Sequence, residues 1–513
     1  MRINRFLTLM FSLFALFTIG ASAATYTVTK VADTNDGTCD ADCSLREAVT
    51  AANASADNDT IVFATLFNTV QTIVLSLNEI VIGANGSLTI TGPGAGLLTL
   101  DGNLATRIIS TSANVNAEIN GIKFTRGNGV GAVNTGRGGA IYNVGGTLVL
   151  RNVIVDGNSA PNGGGLNNAG SASPAIPAIL TIENSIVSNN TATGSGGGMQ
   201  NFSTSTVTIT NSLFIGNVSN GTTGGGGGQF NGGVRITNST FSGNSAPAGG
   251  GGGMQSNGTL GTILTNVTIS GNSAGNNGGG IHRGTTNANF FIRNSIVAGN
   301  TGPVASPDFT NSAAGNQSQG NNIIGNTGTS TGWIASDLLN TNPLLGPLAN
   351  NGGATQTFLP QAGSPAIDGG QNCVINSSCT ANNAPFDVTT DQRGVARPQG
   401  ANVDIGSVEV AGAVSNVTVI GRVLTSTGNP VRGSIVTMVE ATPTSSGIPT
   451  LARVAYTPNL GYFIFEGVQG GRTYQFSATA KGYTFTPQTI AVNGDITNLV
   501  ITAQPNVNLG EQK

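Results

Sequence analysis

The sequence predicts an all-β protein: a parallel solenoid, preceded by a helix-containing cap and followed by a β-sandwich. Three observations carry this. Residues 138–300 repeat six times, apolar residues hold fixed places within each repeat, and beyond residue 413 the pattern changes to short alternating strands.

Each repeat has a glycine run that ends on a larger residue: Ile141, Leu166, Met199, Gln229, Met254 and Ile281. The intervals between them are 25, 33, 30, 25 and 27 residues, the range of a solenoid turn. Each repeat then reaches two asparagines six apart: Asn152 and Asn158, Asn184 and Asn190, Asn211 and Asn217, Asn238 and Asn244, Asn266 and Asn272, Asn294 and Asn300. Two places before the first asparagine stand Leu150, Ile182, Ile209, Ile236, Leu264 and Ile292. Three places after it stand Val155, Val187, Phe214, Phe241, Ile269 and Val297. Side chains alternate along a strand, so these two positions cannot both face inward on one straight segment. The chain must turn a corner at the first asparagine. Stacking at the strand spacing of ~4.8 Å brings each asparagine over its counterpart, where amides can hydrogen-bond along the column. All twelve asparagines are therefore read as structural.

The Gly-Gly-Ala-Ile start at Gly138–Ile141 and the Phe-x-x-Asn element at Phe214–Asn217 and Phe241–Asn244 resemble repeats of polymorphic outer membrane proteins. Related bacterial right-handed parallel β-helices share them. The resemblance covers about a third of the chain and implies that fold there, and the apolar columns with the in-phase asparagines extend the expectation to residues 61–410. It implies no particular activity, because the fold hosts lyases, hydrolases, adhesins and stalks alike.

From the N-terminus, residues 1–23 read as a signal peptide: Arg2 and Arg5, an apolar run from Phe6 to Ile19, then Ala21-Ser22-Ala23. The expectation is export, with the mature chain extracellular or at the cell surface. That run is short for a membrane span, and no other segment approaches one, so no transmembrane segment is expected in the mature chain. Removing residues 1–23 takes away Arg2 and Arg5 and leaves 18 basic against 23 acidic side chains. A nucleic-acid partner needs a basic footprint and is excluded. Glycine supplies 77 of 513 residues, but in phase with apolar positions, which argues for order rather than low complexity.

Residues 24–60 read as the cap. Thr25–Val31 alternates like a strand, and Ser44 with Glu47 has capping-box spacing before an apolar helix face of Leu45, Ala48, Val49 and Ala52. The string Cys43-Ser44-Leu45-Arg46-Glu47-Ala48 resembles the N-terminal motif of exported bacterial CSLREA-domain proteins. A helix over the first coil covers otherwise open strand edges. Cys39 with Cys43 and Cys373 with Cys379 favour two local disulfides over a zinc site, for which His282 is the lone histidine. Asp33, Asp36, Asp40 and Asp42 are candidate calcium ligands, weighed against a plain solvated loop. No other cofactor is expected.

Coil-like apolar runs continue from Ile61 to Gly129, and Trp333, the single tryptophan, reads as a packing residue. Further on, Asn342–Leu348, Gly363–Asp368, Asp391–Pro398 and Asp404–Gly406 resemble the "choice-of-anchor Q" domain of exported bacterial β-helix proteins. The chain departs from that family at Asn508–Lys513, which has neither a sorting motif nor an apolar tail. Asp368, Asp391, Arg393, Arg397 and Asp404 are expected to pair with one another and close the last coils rather than catalyse.

Residues 414–505 read as a separate sandwich of short strands, with turns at Gly428-Asn429-Pro430, Gly461 and Gly470-Gly471. Gly421-Arg422-Val423, Gly461-Tyr462-Phe463 and Ala480–Tyr483 resemble carboxypeptidase regulatory-like, transthyretin-like modules, which implies an accessory role.

For function, residues 138–300 hold two acidic side chains, Asp156 and Glu183, on different sides of the corner. Basic residues such as Arg151, Arg235, His282 and Arg293 are scattered over the coils. Polysaccharide-cleaving β-helices need clustered carboxylates. The expectation is a structural, adhesin-like binding platform with extracellular glycans or cell-surface components as partners. The alternative is a polysaccharide lyase or glycoside hydrolase whose site is built by residues 301–410 or by loops such as Ser171–Ala178.

Overall fold

In the computed structural model, the first asparagine of each repeat adopts the left-handed conformation, with φ of 52°, 49°, 51°, 46°, 53° and 48° from Asn152 to Asn294. Asparagine tolerates this region better than other residues with a side chain, and one such residue turns the chain sharply between two strands. The structure describes residues 23–506, apart from 84, 173–174, 259, 285–288, 304–306, 312–316, 383, 385, 411–415, 442–451, 470–471 and 493–494. Residues 1–22 of the expected signal peptide and the terminal stretch 507–513 thus lie outside the described residues.

One coil shows the path. Ala178–Glu183 lies on a first face, Ile186–Ser188 on a second, Thr191–Ser195 on a short side and Met199–Asn201 on a third face. Thr206–Thr210 then returns to the first face, in parallel register with Ala178–Glu183. The coils form a β-solenoid of about nine turns, whose first and second faces are 11-stranded, third face 9-stranded and short side 5-stranded. Very little helix is present, and no helix among the described residues is long and apolar enough to cross a membrane.

The core follows the two apolar columns. Ile182, Ile209 and Ile236 pair in register, as do Val187, Phe214 and Phe241, and all six are fully buried. The rings of Phe214 and Phe241 stack with centroids 4.7 Å apart. Inward positions on both sides of the corner are thus explained by the turn at the asparagine. One repeat needs correction. Met199 pairs with Gly228, not with Gln229, so Gln229 faces away from the core. The extra glycine of that repeat shifts the register by one, and the ring of Phe230 fills the space that a side chain on Gly228 would take.

At the N-terminal end, Thr25–Val28 is itself the outermost strand of the first face, paired in parallel with Asp59–Phe63. Helix α1 (Leu45–Ala54) buries Leu45, Ala48, Val49 and Ala52 in the solenoid core. Its capping box is closed in both directions, Glu47 N–H donating to Ser44 Oγ at 3.1 Å and Ser44 N–H to Glu47 Oε2 at 2.7 Å. At the other end, Trp333 packs edge-on against Phe309 and donates from Nε1 to Ser330 Oγ.

The reading that carried coils to residue 410 is corrected by the C-terminal part of that span. Among the described residues the parallel pairing of the coils ends at Leu338–Leu339. Leu345–Ala349 and Thr357–Pro360 instead form an antiparallel hairpin. Residues from there to Glu409 double back as a strap along the asparagine corners. Asn238 Nδ2 donates to Thr390 O at 2.6 Å, Asn266 Nδ2 to Asp404 O at 3.0 Å and Asn294 Nδ2 to Gln371 O at 3.2 Å. Asn321, another left-handed corner, donates to Gly369 O at 2.7 Å.

The C-terminal region holds two four-stranded sheets, mostly antiparallel, with a core of its own that includes Val419, Val436, Phe463, Phe476 and Ile501. Its first strand, Asn416–Thr425, pairs in parallel with its last, Ile496–Pro505.

Candidate functional site

The two asparagine columns do different work. In the second, Asn158 Nδ2 donates to Asn190 Oδ1 at 2.9 Å, Asn190 to Asn217 at 3.0 Å and Asn217 to Asn244 at 2.9 Å. Asn244 donates to Asn272 at 2.8 Å, Asn272 to Asn300 at 2.9 Å, and Asn300 to Asp308 Oδ1 at 2.8 Å. Each member passes a donor forward, so the last position has only to accept, and a carboxylate serves there. Burial pushes the Asp308 carboxyl up, against the hydrogen bonds from Asn300. The first column does not form a continuous ladder. Asn152 Nδ2 reaches Asn120 Oδ1, but Asn238, Asn266 and Asn294 give their amides to the strap.

Two further ladders escaped sequence reasoning. On the third face Thr111, Asn143, Asn168 and Asn201 form a buried chain, broken where Phe230 takes the next place. Beside the corners, Ser212 N–H donates to Ser239 Oγ, as Ser185 N–H does to Ser212 Oγ. The recurring Asn-Ser pair at 184–185, 211–212, 238–239 and 294–295 was the available signal.

The candidate calcium ligands do not converge on one point. Asp33 is paired with Arg46 at 2.8 Å and accepts from the amides of Ser76 and Leu77. Asp42 pairs with Lys30 at 3.0 Å, while Asp36 and Asp40 accept from the amides of Thr38 and Asp42. Among the described residues no group of three or more His, Cys, Asp or Glu gathers as a metal site. Cys39 is bonded to Cys43, and Cys373 to Cys379.

Three of the scattered charges of the repeats, Asp156, Arg151 and Glu183, stand in surface pairs. Asp156 meets Lys123 at 2.9 Å, and Arg151 bridges Glu118 and Glu183. His282 lies on the third face between Gln255 and Thr310 in register, where burial lowers its pKa. The strap's charges form a buried knot. Arg397 meets Glu409 at 2.7 Å with both side chains fully buried, and Asp391 holds Arg393 at 2.8 Å. Asp404 accepts from the amides of Asp368 and Val410. Burial first, then the nearby Glu409, pushes the Asp404 carboxyl up to about 7. These groups are spent on each other and on backbone amides, which fits holding the strap.

Open space lies elsewhere, on the outer surface of the first face. There Thr208, Arg235, Ile263 and Phe291 form one outward column across adjoining strands. They line a groove of about 370 Å³, together with Thr206 and with Asn382 of the strap region. Beyond lies a second hollow of about 460 Å³, lined by Arg293, Ser318, Gln319, Ile334, Gln371, Ser378, Thr380 and the Cys373–Cys379 disulfide. Phe291 and Arg293 stand two apart on the strand Phe290–Arg293, and Thr380 and Asn382 are likewise two apart, so the hollows adjoin. No carboxylate lines either one. No protein-family model matches the chain, and no curated protein matches its sequence.

Proposed function

We propose that the mature protein is an exported platform that binds extended glycans at the cell exterior, along the outer surface of its first face. The observation that carries this reading is the composition of the groove: apolar Ile263 and Phe291 beside the Thr206 and Thr208 hydroxyls, the Asn289 and Asn382 amides and the Arg235 guanidinium. A sugar ring lays its C–H face on an aromatic side chain and turns its hydroxyls to polar neighbours. Ile263 and Phe291 sit on strands paired on both sides, which fixes their spacing before any ligand arrives. Hydrolysis would call for a carboxylate pair across the bond to be cut, and the groove lining holds none. Kinship with exported CSLREA and choice-of-anchor Q β-helix proteins, and an accessory regulatory-like C-terminal module, belong to the same proposal and agree with it.

The test is a glycan array probed with mature protein, with release of reducing or unsaturated ends followed in parallel. Retention of a glycan that Phe291→Ala abolishes is the expected result. Turnover of any polysaccharide, or binding indifferent to Phe291→Ala and Arg235→Ala, overturns the reading.

A further inference from the structure

Arg293 closes the strand Phe290–Arg293, and only 3% of its surface is exposed. Its Nη2 donates to Gln319 Oε1 at 2.9 Å and to Ala381 O at 3.2 Å. Nε and Nη1 are buried, and no described residue accepts from them. No described carboxylate forms an ion pair with it, in contrast to Arg107 with Glu79 and Arg397 with Glu409, the comparably buried pairs. The contrast is sharpest within its own column. Arg151 stands at the same place in its repeat and lies between Glu118 and Glu183. For Arg293 the neighbouring strand offers Thr265.

A guanidinium keeps its charge at any ordinary pH, so burial cannot be relieved by losing a proton. Burying a cation without a counter-charge is costly, and burial indeed acts to lower the pKa of this group. The side chain also lines the second hollow, whose remaining lining is hydroxyl, amide, disulfide and the apolar Ile334, with no competing negative charge. A cation with unused donors on the wall of a hollow of about 460 Å³ has the makings of half an ion pair.

We propose that this hollow is an anion site, in which a carboxylate or sulfate-type oxyanion seats on Arg293 in place of the Ala381 carbonyl. The exchange is favourable in kind, because a hydrogen bond between two charged partners is stronger than one to a neutral carbonyl. The outer wall at Ser378–Ala381 yields to admit the ligand, while the Cys373–Cys379 bond keeps the loop anchored. The site stands whether or not the neighbouring groove takes a sugar. The oxyanion can be a free inorganic ion or a group carried on an acidic saccharide, and the experiment separates the two.

The full mature chain is titrated with sodium sulfate, sodium galacturonate and neutral galactose, at constant ionic strength against chloride, by calorimetry and thermal melting. Arg293→Met keeps the length of the side chain without its charge and serves as the reference for general salt effects. The expected result is saturable binding of galacturonate or sulfate, at least about tenfold weaker in the variant, with no effect of galactose. Tighter binding of galacturonate assigns a saccharide-borne carboxylate, and tighter binding of sulfate a free anion. In chloride the variant should melt at or above the parent, since a buried lone charge is gone. Equal response of both proteins to the anions overturns the proposal. So does a variant that melts well below the parent in chloride, because the guanidinium is then a structural strut.

Discussion

Replacing Asn217 by Ala tests the ladder that runs through the solenoid. Asn217 is fully buried and its side chain makes four hydrogen bonds. Its Oδ1 accepts from the Asn190 amide at 3.1 Å and from Asn190 Nδ2 at 3.0 Å. Its Nδ2 donates to Val187 O and to Asn244 Oδ1, each at 2.9 Å. Truncation strands the Asn190 backbone N–H, while Asn190 Nδ2 and Asn244 Oδ1 each retain another partner. An orphaned buried group costs about 1–3 kcal/mol, so one stranded amide and a weakened carbonyl at Val187 together cost about 3–5 kcal/mol. Asn211 is the control. Its contribution is a corner at φ 51°, and its buried Oδ1 has no described partner. Glycine adopts that conformation freely, so Asn211→Gly should change stability by no more than about 1 kcal/mol. Urea unfolding of the mature protein followed by circular dichroism measures both. If Asn217→Ala unfolds within about 0.5 kcal/mol of the parent, or Asn211→Gly is the more damaging change, the division of labour between the columns is wrong.

Ile209→Asp places a charge in a fully buried column between Ile182 and Ile236 and should cost about 4 kcal/mol or more, read as loss of the folded baseline at 25 °C. The pH response should show two opposed limbs. Burial would raise the Glu47 carboxyl, but amide and hydroxyl donors from Ser44, Asp36 and Thr34 outweigh it and hold it at about 2, so stability held above the usual 4.5 is lost as pH falls toward 2. Asp404 has the opposite sign: its raised pKa favours the folded form fully below the usual 3.8 and loses that advantage as pH rises to about 7, so hydrogen exchange in the strap should quicken over that interval. Residues 414–505 expressed alone should give a cooperative melt, since Val419, Val436, Phe463, Phe476 and Ile501 form a cluster distinct from the solenoid core; a fragment without a transition counts against an independent sandwich.

The solenoid was legible because its constraints are local and repeated. Ile209 and Phe214 could be placed inside on opposite sides of a corner from their spacing to Asn211 alone, since no straight strand buries both. The identity of the corner residue then made physical sense, as asparagine at positive φ is inexpensive. Register within the glycine runs was not legible in the same way. A run such as Gly224–Gly228 has no side chains by which to count, so the slip at Gln229 left no trace until Phe230 was seen filling the space over Gly228. The strap was hidden for a different reason. Asn238 meets Thr390 across 152 residues, and nothing in the local pattern of either segment announces the other.

That long return also changes what the corner asparagines are for. The left-handed backbone turns their amides outward along one edge of the solenoid, and at Asn152 such an amide still reaches its neighbour, Asn120. From Asn238 onward the same amides are taken by backbone carbonyls of the strap. A residue selected for its backbone geometry thereby supplies a row of donors at coil spacing, and an extended segment laid across them can satisfy its carbonyls without forming a sheet. The strap then does two things that no regular coil does. Its buried knot of Arg397, Glu409, Asp391 and Arg393 clamps several coils together from the side. Its edge at Thr380–Asn382 stands over the first face and walls off the groove beside Phe291 and the hollow beside Arg293. Along the uninterrupted coils, a charge such as Arg151 finds its partners one coil away, at Glu118 and Glu183. Beside the strap, Arg293 has Thr265 next to it in register and Gln319 and the Ala381 carbonyl as hydrogen-bond partners, with no described carboxylate paired to it.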